Sequence, residues 1–267
     1  FCHTNLIGVQ FYQTDLRQTD FTGALFKKVW FYHKGLESAL LENAEFTAAC
    51  FIFSGFPKSN IRGGVFSSIV ANEFQANESE MSMCDFSGAY LTGADFSDAT
   101  LDTVSFVGAE LVESQFSGSQ LRRINFQGAN LCGARFGEVN LTEVDFQRAN
   151  LAFAGFVRAN LQNSNMCQAN LSRARFVESD LTNVQGMDAN FSEADFSGAN
   201  LTGACLQGAN LSRAVLTGAN LTRTDLRRAN LSETRLHESY LSETLLDGAY
   251  LTEQEKALLR EKNVQGL

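Results

Sequence analysis

A large apolar residue recurs at every fifth position, and this period constrains the fold more than any other feature of the chain. Stepping by five from Phe1 to Leu251, 48 of 51 positions hold Phe, Leu, Ile or Met. Only Ala71, Ala76 and Gly186 break the series, and its phase never shifts. We call these positions the centres. The residue two places before a centre is usually small, most often Ala.

A period of five fits neither a strand, which repeats every two residues, nor a helix, which repeats every 3.6. The chain must therefore turn a corner every five residues, and four corners close a coil of twenty. Each side of the coil points one large and one small side chain inward. This pattern predicts a right-handed, four-sided parallel β-helix of about thirteen coils, stacked roughly 4.8 Å apart like neighbouring strands.

The motif Ala-Asn/Asp-Leu/Phe-Ser/Thr-x resembles that of the pentapeptide repeat proteins. The segment FSGANLTGACLQGANLSRAVLTGANLTRTDL, from Phe196 to Leu226, carries it most clearly. The resemblance covers residues 1–251 and implies the all-β, right-handed quadrilateral β-helix of that family. Members of the family differ widely in function, so the fold alone does not tell what this chain does.

The centres also predict how side chains stack inside the coil. With twenty residues per coil, Phe86, Phe106, Phe126 and Phe146 should stack on one side. A second stack, on the opposite side, should contain Phe96, Phe116, Phe136 and Phe156.

Two places depart from the repeat. In the range 70–83, two centres are Ala and Phe74 occupies a slot for a small residue, so we expect a bulged or looped-out coil there. At Gly186 a centre is missing altogether, and we expect Met187 to shift inward to fill the gap.

The range 252–267 loses the repeat and predicts a short helix and tail that cap the solenoid. Thr252 followed by Glu255 is a capping-box signature. Leu258 and Leu259 should face the last coil, since solenoids need a cover over their exposed ends. In some relatives such a helix makes a dimer, which stays an alternative. At the other end Phe1 is already a centre, so we expect a further segment, domain or chain to cover that edge.

The formal net charge of −9 argues against direct nucleic-acid binding, which needs a basic patch. No apolar run is long enough for a membrane span.

The six cysteines form no CxxC pair, and we interpret them as reduced thiols. Reduced thiols favour a cytoplasmic protein, with a secreted effector as the alternative.

No pattern of residues indicates catalysis or a cofactor. His3, His33 and His237 lie far apart in sequence, and no nucleophile, phosphate-binding or zinc motif is present. A coil packed with side chains has no interior cavity for chemistry. We therefore expect neither an enzyme nor a bound metal.

Three functions remain open. The first is a scaffold that binds a partner protein. The resemblance implies a second, a DNA mimic that inhibits or protects a type II topoisomerase such as gyrase. A mimic needs a continuous acidic stripe, but on each side of the coil the outward residues include both acidic and basic side chains. One side carries Arg122, Arg123, Glu143, Arg223 and Glu243, and the opposite side carries Glu110, Glu113, Arg173, Glu193, Arg213 and Glu233. The third is a β-helix segment of a larger multidomain protein, such as a bacterial effector.

One side of the coil carries apolar residues where the other sides carry Ser, Thr, Gln or Arg. Its centres include Phe11, Phe31, Phe51, Leu111, Leu131 and Leu151, and the residues beside them should face solvent. Trp and Tyr are typical anchors of protein interfaces. We call this side the aromatic wall and predict that it binds a protein partner through Tyr12, Trp30, Tyr32, Ile52, Phe53, Val112 and Phe153. Cover by another part of the same protein is the main alternative.

Overall fold

The structure is a computed structural model that describes residues 1–12, 14–32, 36–52 and 54–261. The chain divides into two compact units, Phe1–Arg135 and Phe136–Leu267. Within each unit, residues twenty positions apart pair in parallel across neighbouring coils, as Tyr90 does with Glu110 and Asn170 with Asn190. A corner every five residues gives each coil four sides. The predicted fold class, a four-sided parallel β-helix with a short C-terminal helix, is confirmed.

Short strands reinforce three sides of the first unit. The described residues contain nine strands of three residues each: β1 (Asn5–Ile7), β2 (Gln10–Tyr12), β3 (Leu25–Lys27), β4 (Trp30–Tyr32), β5 (Cys50–Ile52), β6 (Asn60–Arg62), β7 (Glu80–Ser82), β8 (Thr100–Asp102) and β9 (Gln120–Arg122). They form three parallel sheets, in the orders β1-β3, β2-β4-β5 and β6-β7-β8-β9. Elsewhere, single-residue bridges join successive coils.

The centres and the small residues before them fill the interior of each unit. In the first unit, Phe106 stacks on Phe86 and on Phe126, with ring centroids 5.2 and 5.1 Å apart. In the second, Phe136 stacks on Phe156 at 5.2 Å. The predicted stacking is therefore confirmed within each unit, and all five rings are fully buried.

The corners place ordinary residues in the left-handed backbone region. Each described residue two places after a centre, from His3 to Gly248, has a φ between 52° and 73°. This conformation costs an L-residue roughly 1–2 kcal/mol. Stacking offsets that cost, because the amide at this position donates to the next coil: Gly93 donates to the carbonyl of Val112 at 2.7 Å, and Glu113 to that of Cys132 at 2.8 Å.

The range 70–83 forms a regular coil, so the expected bulge is wrong. Residues throughout this range pair with partners twenty positions away. The reason is an exchange of volume between the two inward positions of one side. Phe74 replaces the usual small residue before the small centre Ala76, and Ile69 replaces it before the small centre Ala71. All four side chains are fully buried.

Neighbouring side chains fill the volume that the missing centre at Gly186 leaves. The prediction that Met187 moves inward is wrong. Met187 is 42% exposed. A Cβ on Gly186 would lie 2.8 Å from Cδ2 of Leu206 and 3.2 Å from Cε2 of Phe191. These two side chains therefore occupy the space that a larger centre would need.

The C-terminal helix α1 spans Glu253–Glu261 and begins as its sequence predicts. The Thr252 amide donates to Oε2 of Glu255 at 2.6 Å, and the Thr252 hydroxyl donates to the same oxygen. Leu259 is fully buried, whereas Leu258 is only half-buried. The helix thus turns one apolar edge inward and exposes the rest.

Candidate protein-binding surface

The aromatic wall begins on the sheet β2-β4-β5. The parallel register sets Tyr12 beside Tyr32 and Tyr32 beside Ile52, and sets Trp30 beside Cys50. The side-chain period of two explains their direction: the centre between each flanking pair points inward, so both flanking residues point outward.

Three of these aromatic side chains form one exposed cluster. The rings of Tyr12 and Tyr32 lie 5.9 Å apart, and Trp30 meets Tyr32 edge-on at 6.5 Å and 89°. Tyr12 is 65% exposed and Trp30 43% exposed, while Tyr32 and Ile52 are half-buried. The structure therefore brings Tyr12, Trp30, Tyr32 and Ile52 together on one solvent-facing sheet.

The other predicted wall residues do not join this cluster. Phe53 lies outside the described residues. Val112 is half-buried on the same side, but Asn72 and Thr92 occupy the two coils between it and Ile52. Phe153 belongs to the second unit, where it is 55% exposed and the Arg173 guanidinium lies 5.5 Å from the centre of its ring.

The sequence reasoning missed a second row of apolar residues on the same side. Trp30 pairs with Cys50, Cys50 with Val70, and Val70 with Tyr90. Val70 is 45% exposed and Tyr90 is 53% exposed. We call Trp30, Cys50, Val70 and Tyr90 the apolar column. Stepping by twenty from Trp30, rather than from the residue after each centre, would have found it.

The sequence reasoning also missed where the negative charge lies. No Lys or Arg occurs in the range 63–121, which holds nine acidic residues: Glu73, Glu78, Glu80, Asp85, Asp95, Asp98, Asp102, Glu110 and Glu113. The remaining acidic residues equal the 21 lysines and arginines of the chain in number. By count, the excess of nine acidic residues therefore lies in about three neighbouring coils, although Glu78 pairs with Lys58 and Asp102 pairs with Arg123 from outside this range.

In the second unit, acidic and basic side chains alternate along one corner. Arg173 donates to Glu193 at 2.9 Å, and Arg213 donates to Glu233 at 3.0 Å. Along another corner, Arg223 donates to Glu243 at 2.8 Å. The hydrogen bond and the charge of Arg223 lower the pKa of Glu243. These corners are therefore close to neutral.

A ladder of asparagines stabilises another edge of the second unit. Asn170 donates to Asn150 at 3.0 Å, and Asn190 donates to Asn170 at 3.1 Å. Asn210 and Asn230 continue the series at 3.2 Å each. Since every step joins one coil to the next, the ladder accounts for the frequent Asn before a centre as a structural feature.

A cavity of about 580 Å³ lies beside α1. Its lining includes Leu236, His237, Glu255 and Leu258. Glu255 already accepts both capping hydrogen bonds from Thr252. The side chains of Glu233 and Thr234, which also line it, are likewise engaged within the fold.

Cys84 occupies an inward slot two places before a centre, whereas the other five cysteines are exposed or half-buried at outward positions. Burial raises the pKa of the Cys84 thiol to about 12, and its Sγ donates to the carbonyl of Ile61 at 2.8 Å. Within the ranges that the structure describes, no cluster of three His, Cys, Asp or Glu side chains could hold a metal ion. Across the same ranges, no helix is both long and apolar enough to cross a membrane.

The fold and this surface define a repeat solenoid with an exposed apolar side. The family model for pentapeptide repeats matches in 8 copies, over residues 1–29, 84–123, 119–152, 154–185, 188–213 and 209–248. These ranges make up more than half of the chain, so the chain belongs to the pentapeptide repeat family. The range they leave out in the first unit, 30–83, contains Trp30, Tyr32, Ile52 and Val70.

Solved structures of this family are similar to the chain. HetL, a pentapeptide repeat protein involved in heterocyst differentiation regulation from the cyanobacterium Nostoc sp. Strain PCC 7120, is 26% identical; the match covers 83% of this chain and 91% of HetL, with a TM-score of 0.29. Rfr23 from the cyanobacterium Cyanothece 51142 is 30% identical over 46% of this chain and 91% of its own, with a TM-score of 0.32. QnrB1, a plasmid-mediated fluoroquinolone resistance protein, is 19% identical over 86% of this chain and 98% of its own, with a TM-score of 0.30. No curated protein sequence matches the chain.

Proposed function

We propose that this chain is a non-enzymatic scaffold that binds a partner protein through the aromatic wall. The observation that carries the proposal is the cluster of Tyr12, Trp30 and Tyr32, held by three paired strands and open to solvent. Contiguous exposed apolar patches mark interaction sites more often than single exposed residues do. Trp and Tyr supply large contact areas at low cost in side-chain entropy.

Rigidity supports the same role. Trp30, Tyr32 and Ile52 flank centres that are packed inside the coil: Phe31 is 1% exposed and Phe51 is 2% exposed, whereas Phe11, beside Tyr12, is half-buried. The rings of Phe31 and Phe51 stack at 4.8 Å with 3° between the planes. A surface held in this way loses little freedom on binding, which lowers the free-energy cost of association.

The test compares three forms of the chain in affinity capture from a lysate of the source cells. The wall variant combines Tyr12→Ser, Trp30→Thr and Tyr32→Thr. The matched control combines Tyr240→Ser, Tyr250→Ser and Met187→Thr, which removes three comparably exposed apolar side chains from the second unit. Circular dichroism checks that both variants keep the parent fold.

We expect a protein captured by the parent and by the control variant to be lost from the wall variant. Equal capture by all three forms would place the interface elsewhere. Loss from the control variant alone would assign it to the second unit.

The DNA-mimic alternative is the second candidate, and the acidic range 63–121 is the observation that favours it. The arginine–glutamate pairs of the second unit count against it, because a mimic of duplex DNA needs an acidic stripe without neutralising cations.

A further inference from the structure

We propose that the apolar column binds a cationic amphipathic helix lying along the stack of coils. The inference rests on the proposed function and specifies the chemistry of the partner. It combines two features of one side of the first unit: the apolar column itself, and the acidic residues that lie beside its far end.

The spacing of the apolar column matches that of a helix. Neighbouring coils lie about 4.8 Å apart, so the step from Trp30 to Tyr90 spans roughly 14 Å. An α-helix advances about 5.4 Å per turn, so its apolar residues at i, i+3 or i+4, and i+7 recur at nearly the same distance. Each turn of such a helix can therefore meet one member of the apolar column.

The charge beside the far end of the apolar column is negative, whereas Lys27 and Lys28 lie at the corner before Trp30, at its near end. Glu110 follows Tyr90 in the same row, and Glu73 and Glu113 lie at the adjacent corner. Among the described residues, the ion pairs of this acidic range join Glu78 to Lys58 and Asp102 to Arg123, and neither Glu73 nor Glu113 takes part in one. Glu110 accepts a hydrogen bond from Asn130 at 2.7 Å. No Lys or Arg occurs between residues 63 and 121 to neutralise them. Lysines or arginines flanking the apolar stripe of a bound helix would complement these carboxylates.

A second copy of this chain fits the surface less well. The net charge of the chain is −9, so two copies repel each other. Its own helix α1 carries Glu253, Glu255 and Glu261 against Lys256 and Arg260, which gives it an acidic balance. The acidic surroundings of the apolar column therefore favour a basic partner over self-association.

The probe is a fluorescently labelled peptide of about 18 residues, five helical turns, composed of Leu at helical spacing and Lys elsewhere. Its binding to the full chain is measured by fluorescence anisotropy at low ionic strength. A second peptide replaces every Lys with Glu. The acid variant combines Glu73→Gln, Glu110→Gln and Glu113→Gln, and its matched control combines Glu193→Gln, Glu233→Gln and Glu243→Gln in the second unit.

We expect the Lys peptide to bind and the Glu peptide not to bind. The acid variant should bind the Lys peptide about tenfold more weakly, because three exposed charge pairs each contribute a modest amount. The matched control should stay within about twofold of the parent, since its carboxylates lie outside the site. Tyr90→Ser should also weaken binding, whereas Tyr240→Ser should not.

Three results would overturn the inference: no binding of the Lys peptide, equal loss in the acid variant and its control, or light scattering that shows a dimer which Tyr90→Ser converts to a monomer. These outcomes are separate from those of the capture experiment. A partner that is lost with the wall variant, together with no binding of the Lys peptide, would leave the scaffold proposal standing and reject the cationic helix.

Discussion

Phe74 lies edge-on to Phe56, with ring centroids 5.4 Å apart and 77° between the planes. This contact fills the space left by Ala76, the small centre that follows Phe74 on the same side of the coil. The two inward positions of a side therefore share one volume, and either can hold the large residue.

The exchange of volume predicts a rescue. Phe74→Ala should lower the free energy of unfolding by about 3–5 kcal/mol, because it leaves a cavity beside Ala76. Ala76→Phe alone should cost about 1–3 kcal/mol by overpacking. The double variant restores the usual pattern of the repeat and should be more stable than Phe74→Ala. Urea denaturation of the four forms measures the coupling, and strictly additive effects would reject the shared volume.

The phenylalanine stack of the first unit gives a second prediction. Phe126 is fully buried and stacks on Phe106 with 11° between the planes. Phe126→Ala should destabilise the fold by about 3–5 kcal/mol, whereas Met187→Ala, at an exposed site, should change it by less than about 0.5 kcal/mol. Denaturation midpoints compare the two variants with the parent. A Phe126→Ala protein as stable as the parent would mean that the stacking register is wrong.

Cys84 makes stability depend on pH above the neutral range. Burial raises the pKa of its thiol to about 12, whereas the unfolded chain ionises near pH 8.5. The folded state thus holds a proton that the unfolded state has lost. This contribution is fully present below about pH 8.5 and falls as the pH rises towards 12. Cys84→Ala, which places the usual small residue there, should lose this part of the pH dependence.

The measurement for Cys84 is the difference in urea midpoint between parent and variant as the pH rises above 8.5. Taking the difference removes the contributions of tyrosines and lysines, which both forms share. We expect the parent to lose stability more steeply. Parallel curves would show that the thiol is not held protonated in the fold.

Charge pairing in the second unit predicts the outcome of a topoisomerase assay. Arg173, Arg213 and Arg223 each pair with a glutamate on the next coil, which interrupts the acidic surface. We expect no inhibition of gyrase supercoiling at micromolar concentrations of the chain. Clear inhibition would move the DNA-mimic alternative ahead of the scaffold. The matched comparison is the acid variant, since a true mimic should lose activity when Glu73, Glu110 and Glu113 become Gln.

Much of the fold could be predicted from the sequence, because the repeat acts on each side of the coil independently. Nearly every centre is a large apolar residue that points inward, and the parallel pairing of coils follows from their equal length. The sequence reasoning failed at Phe74 and Met187 because it treated each slot alone. Packing instead acts on the summed volume of neighbouring side chains, which is why Leu206 and Phe191 fill the space at Gly186.

The surface was harder to predict than the core. Tyr12, Tyr32 and Ile52 follow their centres, and the rule that such residues face solvent placed them correctly. Val70 and Tyr90 precede their centres, where the repeat motif has Asn or Asp, so their exposure was overlooked. The acidic range is hard to recognise from the sides of the coil, because its charges are spread over several sides and concentrated only along the stack.

The most direct test of the proposed interface is site-specific photocrosslinking of the intact chain. A benzophenone amino acid replaces Tyr12, Tyr32 or Tyr90 on the aromatic wall and apolar column, or Tyr240 in the second unit, which is 66% exposed. We predict that positions 12, 32 and 90 crosslink to the same partner protein and that position 240 does not. Crosslinking to that partner from position 240 alone, or equally from all four positions, would contradict the account.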